Sequence, residues 1–417
     1  MKTVKFYTLG CKVNQYETQE IREQFQRAGF QELEDSMPVQ VCVINTCTVT
    51  QRADSSSLYF VRRARRDNPD ARIIVTGCLA KLDTDKISAI PGLELIVKNE
   101  DKHKIISLLD NSAQISSGIT HFKNHSRVFL KVQDGCNYKC SYCKVRLVRG
   151  KSRSRPLNEI INEAIDLIRN GYTEIVLSGI CLGAYGKDLL PRLSLTRLIE
   201  ELEGITANFR IRLSSIEVND VSEDLLHKMS SSNKLCRHLH IPAQSGDAQI
   251  LKKMNRAYSP DRYIQLIELI RRYLPEVAIT TDVMVGFPGE AEDNFKNTVE
   301  MIKAIKPSGV HIFPYSRRLS TAAYDLGGFV SQLKIKSRIA VLQKICQDLR
   351  TAYYQRFISR VCQVVVERNA SGCSNLWEGY TDNYIKVRIK SDLKLKNQII
   401  SVRLSRICKD FVLADMS

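Results

Sequence analysis

Four short apolar runs punctuate the first hundred residues: VKFYTLG at 4–10, VQVCVINTC at 39–47, ARIIVTGC at 71–78 and LELIVKNE at 93–100. Between them lie the helical stretches YETQEIREQFQRAGF and SSSLYFVRRARRDNP, the second stopped by Asn68-Pro69. Buried-looking strands that alternate with helices predict an open parallel α/β sheet whose strand ends all point one way. Residues 106–125 are polar and weakly patterned, which predicts a linker, and His103, His121 and His125 are expected in solvent.

A second series of strand-plus-helix units follows. Its strands are expected at 127–133, 173–179, 209–215, 237–243, 277–286 and 309–316, with INEAIDLIRNGY and DRYIQLIELIRRYL as amphipathic helices between them. Six units are too many for a flat sheet and too few for a closed eight-stranded barrel. They predict a partial, six-unit TIM-like barrel with its site at the carboxyl ends of the strands. A long helix over 331–354 closes it. In NYIKVRIK, Ile385, Val387 and Ile389 alternate with Lys386, Arg388 and Lys390, so the apolar set faces inward and the basic set outward. VCQVVVE, NQIISVRLS and DFVLAD supply further strands of a small β-barrel. Domains are expected at 1–112, 113–350 and 351–417.

The 417 residues are 43% hydrophobic and 26% charged, the balance of a globular protein. The apolar runs fall short of the roughly 18 residues that a membrane span needs. MKTVKFYTLG enters a strand directly, so a cytoplasmic protein without a membrane partner is expected. The net charge of +17 is high for an enzyme of a small neutral substrate and suits a polyanion. Residues 351–417 hold eleven basic and six acidic side chains, a net of +5, as in an oligonucleotide-binding barrel. Arg62, Arg63, Arg65 and Arg66 form a second basic cluster suited to phosphate.

In a reducing compartment, clustered cysteines mean metal or catalysis. Of the 13 here, Cys42, Cys236, Cys346, Cys362 and Cys408 stand in apolar runs and read as packing. Cys136, Cys140 and Cys143 in CNYKCSYC are different. They lack a nearby fourth ligand for zinc, and a CxxC redox pair would leave Cys136 idle. Three thiolates better suit a [4Fe-4S] cluster with one iron left open. Cys11, Cys47 and Cys78 each end a strand, and a parallel sheet would gather them at its ligand-binding edge. DVMVGFPGE puts Gly286 and Gly289 at a strand end, where backbone can approach a nucleotide-like ligand. Cys181 reads as a bystander.

The CxxxCxxC of Cys136, Cys140 and Cys143 resembles that of radical S-adenosylmethionine (SAM) enzymes. TLGCKVNQYE, INTCTVT and VTGC resemble the amino-terminal domain of the methylthiotransferases, and the tail resembles their RNA-binding TRAM domain, an OB-like barrel. The likeness covers almost the whole chain. GCKVNQYE is most similar to the members directed at threonylcarbamoyladenosine (t6A) in tRNA. Isopentenyladenosine-directed relatives usually read GCQMN there, and ribosomal-protein-directed relatives GCPKN. One departure is KVRLVRGKSRSR after Cys143, where the family commonly has Ile-Pro before Arg-Gly; Arg149-Gly150 and Arg153-Ser154-Arg155 remain.

The resemblance implies two [4Fe-4S] clusters. Cys136, Cys140 and Cys143 would hold the one that binds SAM as radical source. Cys11, Cys47 and Cys78 would hold the one that presents sulfur, methylated by a second SAM. Glu217, Gln244 and Gly286 would lie around SAM. The product would be a methylthio group at carbon 2 of adenosine 37 in the tRNA anticodon stem-loop, with a low-potential electron donor as partner. Tyr142 and Tyr315 are candidates for stacking on the base. The other readings are isopentenyladenosine methylthiolation, a ribosomal-protein target, and a zinc-bearing RNA-binding protein without enzymatic activity.

Overall fold

Val41–Thr46 is buried at every residue, as the central strand of a sheet covered on both faces must be. The computed structural model describes residues 2–33, 37–110, 117–370 and 375–417 and divides into two compact units. In the first, β1 (Lys2–Thr8), β2 (Phe30–Glu32), β3 (Val41–Thr46), β4 (Arg72–Gly77) and β5 (Leu93–Val97) form one parallel sheet in the order β2-β1-β3-β4-β5. Ile44, Val61, Ile73 and Val75 pack one face; Ile21, Phe25, Val43 and Ile74 pack the other. The short edge strand β2 was not legible, because three half-exposed residues carry no period.

Two of the helices that flank this sheet are long. α2 (Gln51–Asp67) is capped by Thr50, whose hydroxyl accepts from the Ala53 N–H. It stops before Asn68, whose buried side chain donates to the Ala64 carbonyl and accepts from the Val39 N–H. α1 (Lys12–Arg27) starts one turn earlier than its apolar period predicts, directly after Cys11.

The linker expected at 106–125 is corrected at both ends. Ile106 lies in the sheet core, and Ile119 and Phe122 are buried. The Glu23 carboxylate accepts from the backbone N–H groups of Thr120 and His121 at 2.9 Å. Residues 111–116 of that stretch lie outside the described residues. His103, His121 and His125 are exposed as expected. Two later segments, 134–153 and 316–324, also belong to the first unit.

The second unit contains all six expected strands: β6 (Arg127–Lys131), β7 (Glu174–Ser178), β8 (Arg210–Leu213), β9 (His238–His240), β10 (Ala278–Val285) and β11 (Gly309–Pro314). They pair in parallel as β6-β7-β8 and β9-β10-β11. Bridges at Ile211–Leu235 and Ser215–His240 link the two triplets into one open arc. The same unit holds the helix Gln332–Gln355 and a closed barrel of β12 (Val361–Asn369), β13 (Leu376–Thr381), β14 (Lys386–Lys390), β15 (Ile399–Ile407) and β16 (Val412–Met416). Ile385, Val387 and Ile389 are buried in it with Trp377 and Leu404. Among the described residues no helix is long and apolar enough to cross a membrane.

A charged floor joins the arc to the closed barrel. Glu174, Arg127 and Arg210 each open a strand and point to one face. Arg212 Nε donates to fully buried Glu174 at 2.7 Å, and Arg210 and Arg127 also pair with it. The spare guanidinium protons reach carbonyls of the closed barrel: Arg210 to Tyr380 at 2.7 Å, Arg212 to Thr381 and Asp382 at 2.9 Å. The Tyr384 ring stacks on His238 at 4.5 Å and on Tyr380 at 5.0 Å, with the Arg212 guanidinium 4.7 Å from its centre. Burial resists the Glu174 charge, but the three arginines hold its carboxyl far below the ordinary range.

Glu174→Gln would leave Arg210 and Arg212 buried without their counter-charge, while Arg127 keeps Glu367. The expected cost is about 3–5 kcal/mol, read as a lower urea midpoint of the purified protein. An unchanged midpoint would show that the floor does not hold the two parts together.

Candidate functional site

Parallel register brings three thiols to one edge. Thr8 of β1 lies opposite Asn45 of β3, and Thr46 of β3 lies opposite Gly77 of β4. Cys11, Cys47 and Cys78 follow these aligned ends. Neighbouring strands are about 4.8 Å apart, so Cys47 leaves the middle strand with Cys11 and Cys78 on its flanks. Cys11 is the N-cap of α1, and Cys78 opens the helix Cys78–Leu82. Gly10 has a φ of +99°, and a Cβ there would come within 2.9 Å of Cys47 Sγ, so only glycine lets the β1 end pass this close.

The three thiols sense one another. Cys47 is buried, and desolvation pushes its thiol to about 11, with Cys78 and Cys11 adding to the rise. Water reaches Cys11, but protein crowds most sides of it; that desolvation raises it too, against the pull of the Arg149 guanidinium. A thiolate here therefore needs a cation, which a bound metal provides. Among the described residues no three Cys, His, Asp or Glu side chains close around a point for one metal ion. Zinc would draw its sulfurs to about 3.8 Å from one another, given Zn–S bonds of about 2.3 Å. Three thiolates offered from one sheet edge can serve a metal ion or an iron–sulfur cluster.

Cys136, Cys140 and Cys143 lie in the same unit, in the segment 134–153. All three are half-buried. The loop closes at its neck, where the Cys136 N–H donates to the Gly150 carbonyl at 3.1 Å, and the Val145 N–H points at Cys143 Sγ at 3.5 Å. The sequence placed this loop after a barrel strand but did not reveal that it folds with the amino-terminal sheet.

Arg149 makes that attachment. Its Nη1 donates at 2.9 Å to both Glu17 and Asp134, and its Nη2 donates to Glu17 at 3.0 Å and to the Asn14 side-chain oxygen. Lys102 also pairs with Glu17, and Arg149, Glu17 and Lys102 are all buried. Asn14 in turn donates to the carbonyls of Leu9, at 2.7 Å, and Thr46, at 3.0 Å, on the strand ends that precede Cys11 and Cys47. The segment 316–324 makes a second clip. Arg318 reaches the Thr48 carbonyl at 2.9 Å and Asp54 at 2.6 Å, while the Ala323 N–H donates to the Ser141 carbonyl at 2.8 Å. Thr48 is beside Cys47 and Ser141 lies between Cys140 and Cys143.

Tyr142 lies beside Cys143 in the first unit, whereas Cys181, Glu217, Gln244, Gly286 and Tyr315 lie in the second. Glu217 is held by Arg256, with Nη1 at 3.3 Å. Gln244 has a φ of +63°, and its buried Oε1 has no partner among the described residues, so it can accept from a ligand. Gly286 has an explanation that needs no ligand: its N–H donates to buried Glu290 at 2.7 Å, and a Cβ would strike Ile335 at 2.5 Å. Cys181 is buried beside Asp220, its Sγ 3.6 Å from Oδ2. Tyr315 packs edge-on to Phe287.

The basic candidates are less open than the sequence implies. Arg63 and Arg66 share Asp67, Arg65 donates to the Ala71 carbonyl, and Arg62 is exposed. Lys386, Arg388 and Arg368 surround buried Glu378 on the next strand. One carboxylate cannot neutralise three cations, so that face keeps an excess of two charges, and Lys390 is exposed beside it.

Residues 130–302 match the Radical SAM superfamily, and residues 3–98 match the uncharacterized protein family UPF0004. The chain is 37% identical to the threonylcarbamoyladenosine tRNA methylthiotransferase MtaB of Bacillus subtilis, over 97% of this chain and 94% of that protein. It is 31% identical to the tRNA-2-methylthio-N(6)-dimethylallyladenosine synthase of Clostridium tetani, over 96% and 93%. The fold is similar to that of the radical SAM methyltransferase TsrM of Kitasatospora setae, with a TM-score of 0.55 and 14% identity, over 75% of this chain and 73% of that one.

Arg149→Met would remove the shared donor from Glu17, Asp134 and Asn14. Residues 134–153 are expected to exchange amide hydrogens roughly a hundredfold faster in the metal-free protein, with β3 and β4 unchanged. Equal protection in the variant would mean that other contacts hold the loop.

Proposed function

This chain belongs to the radical SAM methylthiotransferase family, and from that membership we propose that it methylthiolates carbon 2 of N6-threonylcarbamoyladenosine 37 in tRNA. The cofactors are of the iron–sulfur and SAM kind. The observation that carries the reading is the placing of two thiol triads in one compact unit, one at the aligned ends of β1, β3 and β4, the other on a loop clamped to α1 by Arg149. The substrate follows the relatives with MtaB-type names, which match nearly the full length of the chain.

Two [4Fe-4S] clusters and SAM, when bound, supply the radical and the methylated sulfur that a carbon–hydrogen bond of this strength requires. The chain's own residues hold and orient. Cys136, Cys140 and Cys143 hold one cluster; Cys11, Cys47 and Cys78 hold the other. Arg149 and Lys102 stand close enough to Cys78 to feel its charge, so they offset the negative charge of ligating thiolates. Glu217 and the spare Oε1 of Gln244 suit the polar parts of SAM, with Gly286 shaping the turn beside them. The excess positive charge around Glu378, with Lys390 beside it, suits the phosphates of an anticodon stem-loop, and Arg62 of the first unit is a separate candidate, so tRNA binding is expected to weaken with salt.

Cys11→Ala is expected to keep deoxyadenosine release under anaerobic reductant, lose the methylthio product, and fall from roughly eight to roughly four irons per chain. Cys140→Ala is expected to end deoxyadenosine release. Mass spectrometry of nucleosides from a deletion strain tests the substrate: the 2-methylthio form of threonylcarbamoyladenosine should vanish. Loss of the isopentenyl product instead would overturn the substrate assignment.

A further inference from the structure

The strands β9, β10 and β11 carry a polar row that none of the roles above uses. His240 Nε2 stands 3.4 Å from one oxygen of Asp282, and His311 Nδ1 stands 3.3 Å from the other. His240 Nδ1 is hydrogen-bonded to the Thr280 hydroxyl at 2.9 Å. The register explains the row. Asp282 lies directly opposite His311, and Thr280 directly opposite His240, so all four side chains share one face. The other face, with Leu239, Ile241, Thr281 and Val283, is buried, and Tyr263 of the helix Pro260–Tyr273 donates to the Ile241 carbonyl and Thr281 there. The row therefore looks into the concave side of the arc, away from the helices.

This face is built and reachable. Asp282 and His240 keep about a quarter of their side chains open to solvent, and His311 keeps 72%. Asp282 takes Nδ1 of His311, which leaves Nε2 as the outward hydrogen-bonding atom, and the Phe313 ring stacks on the imidazole at 5.3 Å. The bond to Asp282 also raises the His311 pKa, which favours its donor form. Just past the end of β8, the buried Ser214 hydroxyl has no partner among the described residues. An apolar substituent laid here would strip water from a carboxylate and two imidazoles and return nothing. A substituent that carries a carboxylate and a hydroxyl would meet donors and acceptors already in place.

We propose that His311, oriented by Asp282 and backed by His240, is the subsite that recognises the carboxylate of the threonyl group on the substrate adenine. The assignment rests on the t6A reading above and explains how a polar N6 group is preferred over an isoprenoid one. His311 and Asp282 are here specificity residues, with no part in making the radical.

The test uses purified holoenzyme under anaerobic conditions and two synthetic anticodon stem-loops, one with threonylcarbamoyladenosine and one with its threonine methyl ester. Equilibrium binding of wild type should favour the free carboxylate roughly tenfold. His311→Gln and Asp282→Asn should each lose most of that preference while their affinity for the ester loop moves less than twofold. A preference that survives in both variants, or none in wild type, would overturn the subsite. Product analysis on the same free-carboxylate loop separates the two readings. If wild type forms no methylthio product on it, the t6A reading fails and takes the subsite with it; if product forms but the preference does not depend on His311, the subsite alone fails.

Discussion

A single buried guanidinium carries the arrangement of the thiol loops. Arg149 sits among Glu17, Asp134 and Asn14 without access to water, so every donor on it must find a protein acceptor. That need fixes the segment after Cys143 against the helix that begins at Cys11. The same helix uses Asn14 to grip the ends of β1 and β3. Two sets of cysteines far apart in sequence thus share one short path of side chains. Chemistry that makes a reactive species at one place and consumes it at another tolerates little looseness between them.

Much of this was legible in the sequence, and for stated reasons. Continuous apolar runs such as VQVCVINT that alternate with helices read as interior parallel strands, and such strands share one carboxyl edge. The meeting of Cys11, Cys47 and Cys78 followed from that alone. The alternation of Ile385, Val387 and Ile389 with basic residues likewise marked one wall of a small barrel. What stayed hidden depends on partners distant in sequence. Nothing in Glu17 marks it as buried, since a carboxylate on an amphipathic helix ordinarily faces water. Its partners Lys102 and Arg149 lie 85 and 132 positions away. The end of the stretch 106–125 misled for a related reason: the backbone N–H groups of Thr120 and His121 are satisfied by the Glu23 carboxylate, which no periodicity reveals.

The basic surface teaches a similar lesson about counting charge. Lys386 and Arg388 point outward as the alternation requires, yet both lean on Glu378 together with Arg368. Their charge is organised, with one anion ordering three cations on a rigid strand pair. Side chains ordered in this way lose less entropy on meeting any further partner. Strands β9 and β10 show the complementary case, where residues two apart, His238 with His240 and Thr280 with Asp282, hide a polar wall inside what reads as ordinary strands.

The Tyr384 tip of the last barrel, wedged against His238 and the arginines around Glu174, also bears on how the chain is made. Synthesis runs from the amino end, so the six-stranded arc leaves the ribosome before residues 380–384 exist. Until then its arginines have a carboxylate but not the carbonyls of Tyr380, Thr381 and Asp382. The arc must wait as an unfinished vessel, wet at the base, and the closing turn of the tail is the stopper that dries it. A chain that stops short of that turn leaves the arginine protons at the base of the arc without those carbonyls.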